Sequence, residues 1–230
     1  MAPPTLTAVV VAYWPERFGN VDRIIDDLQT CLRPPDTLIV LNNNPECPER
    51  FLHIEGIRHI RGSNWECRGK YVAGFLVFAD YYLLMDDDIT VSQRTTTELM
   101  RRAHPECMTA NRGIVIRDGS FFAGDIHDAN DQAEDVPVDS LCGSALFASH
   151  AALVRTLGAE MPIRHKWPTQ GDDILAGLAN DAVIWPMPEG CQWKELPDGG
   201  VAMNFDDDYY DMRDLFTIDA LRALGKKCER

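Results

Sequence analysis

Tyr81-Tyr82-Leu83-Leu84-Met85-Asp86-Asp87-Asp88 is the stretch that decides the fold. Five residues suited to a buried strand run directly into three carboxylates. Adjacent carboxylates repel one another, and desolvating them is costly. An isolated acidic triplet reads as a solvated turn. At the mouth of a buried strand it reads as a place for a divalent cation such as Mn²⁺ or Mg²⁺, which takes oxygen ligands and keeps positions open for water and phosphate. A calcium loop of the EF-hand type does not fit. Counted from Asp86, the sixth position is Val91 where glycine is needed, and the twelfth is Thr97 where glutamate is needed.

Upstream, strands and helices alternate. Leu6-Thr7-Ala8-Val9-Val10-Val11-Ala12 is an apolar run suited to a strand covered on both faces. Val21, Ile24, Ile25 and Leu28 recur at helical spacing, Pro34-Pro35 ends that helix, and Leu38-Ile39-Val40-Leu41 is a second strand before the loop Asn42-Asn43-Asn44. Ile57-Arg58-His59-Ile60 is a weaker third strand, and residues 65–78 are expected to be helical. This alternation predicts an α/β fold with a mostly parallel central sheet flanked by helices. Ligands of such sheets collect beyond the carboxyl ends of the strands. Tyr13-Trp14, Asn42-Asn43-Asn44 and Asp86-Asp87-Asp88 all fall there, so topology alone predicts that they converge.

The second half is less regular. Ile114-Val115-Ile116 and Phe121-Phe122 are expected as short strands, residues 124–137 as a mobile acidic loop, and residues 139–147 as a strand interrupted at Gly143. Gly171-Asp172-Asp173 precedes Ile174-Leu175 as an acid-capped helix start. Capping accounts for one of these acids and leaves the other for a general base. The run Asn204-Phe205-Asp206-Asp207-Asp208 reads mainly as a solvated or lid-like loop. No repeat or linker divides the 230 residues, so one domain is expected, with a nucleotide-binding half over about residues 1–90 and an acceptor and catalytic half over about residues 91–230.

Composition narrows the partners. A net charge of −14 leaves no basic stripe for duplex nucleic acid. Seven scattered cysteines form no CxxC pair, which argues against a disulfide framework and a structural zinc site. No apolar run is long enough to span a membrane, and the first residues lack a signal-peptide pattern, so a soluble cytoplasmic protein is expected. At the helix start before the triplet, Asn64 is a candidate cap, while Arg68 and Lys70 lie one turn in and can face an anion.

The order of these features resembles the GT-A fold glycosyltransferases and is most similar to their family 2 and exostosin-like groups. The resemblance covers about residues 6–180 and rests on the strand-borne Asp86-Asp87-Asp88, like the family's DxD motif, and on Asp172-Asp173 followed by Ile174-Leu175, like its xED motif. It implies a single Rossmann-like GT-A domain and a glycosyltransferase of the hexosyltransferase type. A nucleotide-sugar donor, UDP-linked in preference to GDP-linked, would pass its sugar to a glycan or other hydroxyl acceptor.

Carried onto this chain, the resemblance implies that Tyr13 and the Asn42, Asn43, Asn44 loop hold the base. Asn64 and Arg68 lie toward the nucleotide. Asp86 meets the ribose or sugar and shares the Mn²⁺ or Mg²⁺ with Asp88, Asp87 is partly structural, and Gly143 and Ser144 lie beside the donor sugar. Asp173, with Asp172 beside it, is the catalytic base. Two departures stand out. No histidine follows His165 to serve as an extra metal ligand, and the QxxRW motif of processive enzymes is missing. The metal would then depend on the diphosphate for further oxygens. A sugar nucleotidyltransferase is a rival, but Ala12-Tyr13-Trp14-Pro15-Glu16-Arg17 is not its glycine-rich basic loop. A non-enzymatic acidic cation-binding module is the second rival.

Overall fold

The computed structural model describes residues 2–63, 65, 68–118, 120–159, 172–197 and 209–226. Asn64, Gly171, Trp167 and the acidic run at 204–208 lie outside the described residues. The side chains of Asp172, Cys142 and Gly143 are likewise outside the description, although their backbones are placed.

A seven-stranded sheet organises the chain, in the order β3-β2-β1-β4-β9-β6-β7. Its parallel part holds β1 (Leu6–Ala12), β2 (Thr37–Asn42), β3 (Arg58–Arg61) and β4 (Tyr81–Met85). A helix returns the chain before each of β2 and β4, namely α1 (Phe18–Gln29) and α2 (Gly69–Phe75). β1 is buried along nearly its whole length, as a central strand covered on both faces must be. The apolar face of α1 is the expected set Val21, Ile24, Ile25 and Leu28, all buried. Helix α2 is shorter than its sequence predicts, because Leu76 and Val77 close it with tightened turn bonds to Ala73 and Gly74.

Past β4 the chain forms the short strand β5 (Ile89–Val91), helix α3 (Thr95–Arg102), and then β6 (Met108–Arg117) and β7 (Ser120–Asp128). Next come β8 (Val136–Pro137), β9 (Ser140–Ser149) and α4 (His150–Gly158). The last elements are α5 (Asp172–Asn180), β10 (Val183–Ile184), β11 (Trp193–Glu195) and α6 (Tyr209–Ala223). Strand β9 enters antiparallel beside β4, with Ala145 opposite Met85, and β6 and β7 continue outward antiparallel. Five of the seven strands therefore point the same way, and the predicted mixed sheet with a mainly parallel sense is present.

Two sequence expectations are corrected. Residues 124–128 are not a loop. They complete β7, where Arg112 and Arg117 match Asp128 and Asp125 at 2.7 Å each, so acids that look solvated in sequence are paired across a hairpin. Strand β9 is also continuous through Gly143. The irregularity foreseen there appears as a register shift in its partner β6, between Ala110 and Arg112.

The main core runs from β1 and β2 through β4 into β9 and β6. A second cluster joins Ile114, Ile116 and Phe121 to Ile174, Leu175 and Leu178 of α5 and to Phe216 and Ala220 of α6. Gly177 lets α5 lie directly on the sheet, since a Cβ there would stand 2.5 Å from the Asp139 carbonyl oxygen.

Candidate active site

Pairing of β1 with β4 sets Val10 opposite Met85, and pairing with β2 sets Ala12 opposite Asn42. The three polar segments therefore leave the sheet at one edge, as topology predicted. The Asp86 amide donates to the Ser144 carbonyl at 2.7 Å, extending the β4–β9 ladder by one residue and fixing Ser144 beside the triplet.

The three carboxylates separate in role. Asp86 receives the Lys70 ammonium at 2.9 Å. Burial pushes the Asp86 carboxyl up to about 7, against the pull of Lys70 and with the help of the Asp88 charge. Lys70 is itself buried, so the cation read from sequence as an anion ligand is turned inward to the triplet. Asp87 is buried and accepts from Arg17 Nη1 at 2.9 Å. Burial also raises the Asp87 carboxyl, and the Arg17 guanidinium opposes it. The Tyr13 amide makes a longer contact to Asp87 at 3.5 Å, and Asn20 donates to the Asp87 carbonyl at 2.9 Å. Asp87 thus braces the end of β1 against the end of β4.

Asp88 shares Arg17 through Oδ2 at 3.2 Å, while its Oδ1 is buried with no hydrogen-bond partner. A buried carboxylate oxygen left unpaired is costly and calls for a partner such as water or an ion. A hard cation suits it, because such ions take carboxylate oxygens. Among the described residues no group of three or more His, Cys, Asp or Glu side chains could hold an ion by itself. A metal at Asp88 would therefore have to draw its remaining oxygens from elsewhere, such as a bound phosphate and water. In such a site Asp88 would be the principal protein ligand, with Asp86 as a neighbour.

The asparagine loop is built by its own side chains. Asn42 Nδ2 donates to the Cys47 carbonyl at 2.8 Å, and Asn42 Oδ1 accepts from the Asn44 amide at 3.1 Å. Asn44 Nδ2 donates to the Tyr13 carbonyl at 2.6 Å, tying the ends of β1 and β2 together. Asn43 Oδ1 accepts from the Trp65 amide at 2.8 Å. That approach requires Gly62, where a Cβ would fall 2.2 Å from the same oxygen. The loop thus presents a rigid backbone, with its three side chains buried. Tyr13 is half-buried and meets Trp14 edge-on at a ring separation of 4.9 Å, giving an aromatic pair at this edge. Arg68 is half-buried at the start of α2 and makes no side-chain cap bond.

Asp173 sits at the start of α5, on the second core cluster. It is buried, and its Oδ2 takes Arg213 Nη2 of α6 at 2.7 Å. The Arg213 guanidinium lies 4.1 Å from the centre of the Phe121 ring. Neither Arg17 nor Arg213 was picked out by sequence as a site residue. Both are arginines far in the chain from the acids they hold, and only their placement before a helix or within α6 hints at them.

No described helix is long and apolar enough to cross a membrane. No family model matches the chain, and no curated protein matches it in sequence. Among solved structures it is similar to the mannosyltransferase PcManGT from Pyrobaculum calidifontis in complex with GDP-Man and Mn²⁺. The TM-score is 0.54 at 14% identity, and the match covers 87% of this chain and 59% of that one. At that identity the likeness is one of fold, and this chain has the mixed α/β architecture of that glycosyltransferase.

Proposed function

We propose that this protein is a metal-dependent glycosyltransferase that moves a sugar from a nucleoside diphosphate donor to a hydroxyl acceptor. The observation that carries this reading is the buried, unpartnered Asp88 Oδ1 at the carboxyl end of β4. The fold shared with a structure that holds GDP-Man and Mn²⁺ supports it. A bound divalent ion would supply charge neutralisation at the departing diphosphate.

The chain's own groups do the rest. Arg17 and Lys70 hold Asp87 and Asp86 in place beside Asp88. Tyr13 and the backbone of the Asn42–Asn44 loop flank the base, and Arg68 lies toward the phosphates. Asp86 faces the ribose or sugar, and Gly143 and Ser144 line the donor sugar. In the transfer, the acceptor oxygen forms its bond to the anomeric carbon as the bond from that carbon to the diphosphate oxygen breaks. Asp173 takes the hydroxyl proton, and the nucleoside diphosphate leaves with the bonding electron pair. Preorganised charge at the leaving group is the largest contribution to rate.

A thermal-shift panel of UDP- and GDP-sugars with Mn²⁺ tests the reading, since a ligand that binds only the native state raises its stability. UDP-sugars are expected to give the larger shift. A panel in which no nucleotide sugar shifts the transition, with or without metal, contradicts the proposal.

A further inference from the structure

Beyond Asp88 the chain builds a second concave site, one residue removed from the triplet. Strand β5 pairs antiparallel with β11, setting Glu195 opposite Ile89 and Trp193 opposite Val91, and the Leu196 amide donates to the Asp88 carbonyl at 2.7 Å. Between this ribbon and the β6–β7 hairpin lies a cavity of about 290 Å³, lined by Asn111, Arg112, Asp128, Asn130, Trp193 and Glu195 together with Ile89. Asn111 connects it to the triplet from the other side. Its Oδ1 accepts from the Ala145 amide at 3.1 Å, next to the Ser144 that receives Asp86.

The lining alternates donors and acceptors. Arg112 stands between two carboxylates, with Nε 2.7 Å from Asp128 and Nη2 2.6 Å from Glu195. Asn130 fixes Trp193 at both backbone groups, donating to its carbonyl at 3.0 Å and accepting from its amide at 3.1 Å. Trp193 is 4% exposed, and its indole Nε1 is buried with no hydrogen-bond partner. A buried indole N–H normally finds an acceptor, and this one has no hydrogen-bond partner among the described residues. Two carboxylates against one guanidinium disfavour a phosphate. They favour neighbouring hydroxyls, each of which both donates and accepts.

We propose that this cavity is the subsite for an uncharged, hydroxyl-rich sugar ring of the acceptor. Glu195 and Asp128 accept from its hydroxyls, and the Trp193 indole N–H donates to one of its oxygens. The sugar subsite stands on its own geometry, while its assignment to the acceptor rests on the transferase reading above. Because Ile89 follows Asp88 directly and Glu195 pairs with Ile89, the cavity lies beside the acidic triplet in the fold. The acceptor class is then a neutral glycan or glycoside, and sugar phosphates are excluded.

The test is saturation-transfer NMR on the whole chain without nucleotide. The panel comprises methyl glycosides of glucose, galactose, mannose and N-acetylglucosamine, with the corresponding sugar 1-phosphates as controls. UDP–Mn²⁺ affinity is measured separately by calorimetry. At least one methyl glycoside is expected to bind and its 1-phosphate not to bind. Glu195→Gln, at an exposed position, should weaken that glycoside about tenfold or more and leave UDP–Mn²⁺ affinity within about twofold. Trp193→Phe should weaken it as well. Glycoside binding that ignores Glu195→Gln overturns the proposal, as does a panel with no binder. Weakened UDP–Mn²⁺ affinity in Glu195→Gln also overturns it, because the cavity would then serve the donor. Glycoside binding without any nucleotide binding supports the sugar subsite and counts against the transferase reading alone.

Discussion

Arg17 and Asp87 form an ion pair 2.9 Å long, with side chains 6% and 5% exposed. The pair joins the turn after β1 to the acidic triplet after β4. A buried pair of this kind is weak evidence for stability, but removing Arg17 is expensive, because the buried Asp87 carboxylate then loses its cation. Its role at this edge is positional. It occupies the middle carboxylate and one oxygen of Asp88, while Asp88 Oδ1 has no hydrogen-bond partner.

Arg17→Met should therefore cost about 3–5 kcal/mol, read from urea unfolding. The double variant Arg17→Met, Asp87→Leu should recover a large part of that loss. If the double variant is no more stable than the single one, the pair is not what determines this edge.

Asp88→Ala should leave the unfolding midpoint of the ligand-free protein close to wild type, because Arg17 keeps Asp87. It should remove the extra stabilisation that Mn²⁺ brings to a nucleotide complex. Thermal shift with UDP, with and without Mn²⁺, reads both quantities. A retained metal effect would move the ligand role away from Asp88.

Asp173 and Arg213 test the catalytic assignment separately from the fold. Asp173→Asn should spare donor binding and reduce transfer about 100-fold or more, as loss of a general base does. Arg213→Met should instead unfold easily, since it strands a buried carboxylate. Near wild-type turnover in Asp173→Asn would remove Asp173 from its role.

Two carboxylates anchor the start of β1 and give the fold a pH dependence. Asp36 is held below its ordinary value first by the Arg33 side chain and also by the Leu6 amide. Asp80 is held down first by the Thr5 amide and then by the Thr5 hydroxyl. A carboxylate with a depressed folded-state pKa adds stability above its unfolded value, near 4, and loses it as pH falls through the folded one. Asp80→Asn should lower the urea midpoint at pH 7, and the gap to wild type should be smaller at about pH 3. An equal gap at both pH values contradicts this account.

How much of this was legible in sequence follows from the range of each interaction. The runs at 6–12, 38–41 and 81–85 carry their own signal, since each is a short apolar strand bounded by turn residues, and all three appear in the sheet. The convergence of Tyr13, Asn42 and Asp86 on one edge followed from the parallel order. The partners of the acids were not legible. Arg17 meets Asp87 across 70 positions, and Lys70 reads as a cation facing a bound anion until the sheet places Asp86 beside it. The strands at 114–116 and 121–122 were legible, but residues 124–128 read as loop because their acids suggest solvent when the cross-strand arginines are not yet known. The cavity beside Asp88 depends on β5 meeting β11 about a hundred residues later, a pairing that no local pattern announces.

The most direct test of the central claim is calorimetric titration of UDP and of GDP into the protein, each with Mn²⁺ and after chelation. The account predicts that one nucleoside diphosphate binds with Mn²⁺ and only weakly without it, and that Mn²⁺ alone binds weakly, because Asp88 needs the diphosphate to complete the ion's oxygens. Nucleotide affinity equal with and without metal would contradict it, as would tight Mn²⁺ binding indifferent to nucleotide.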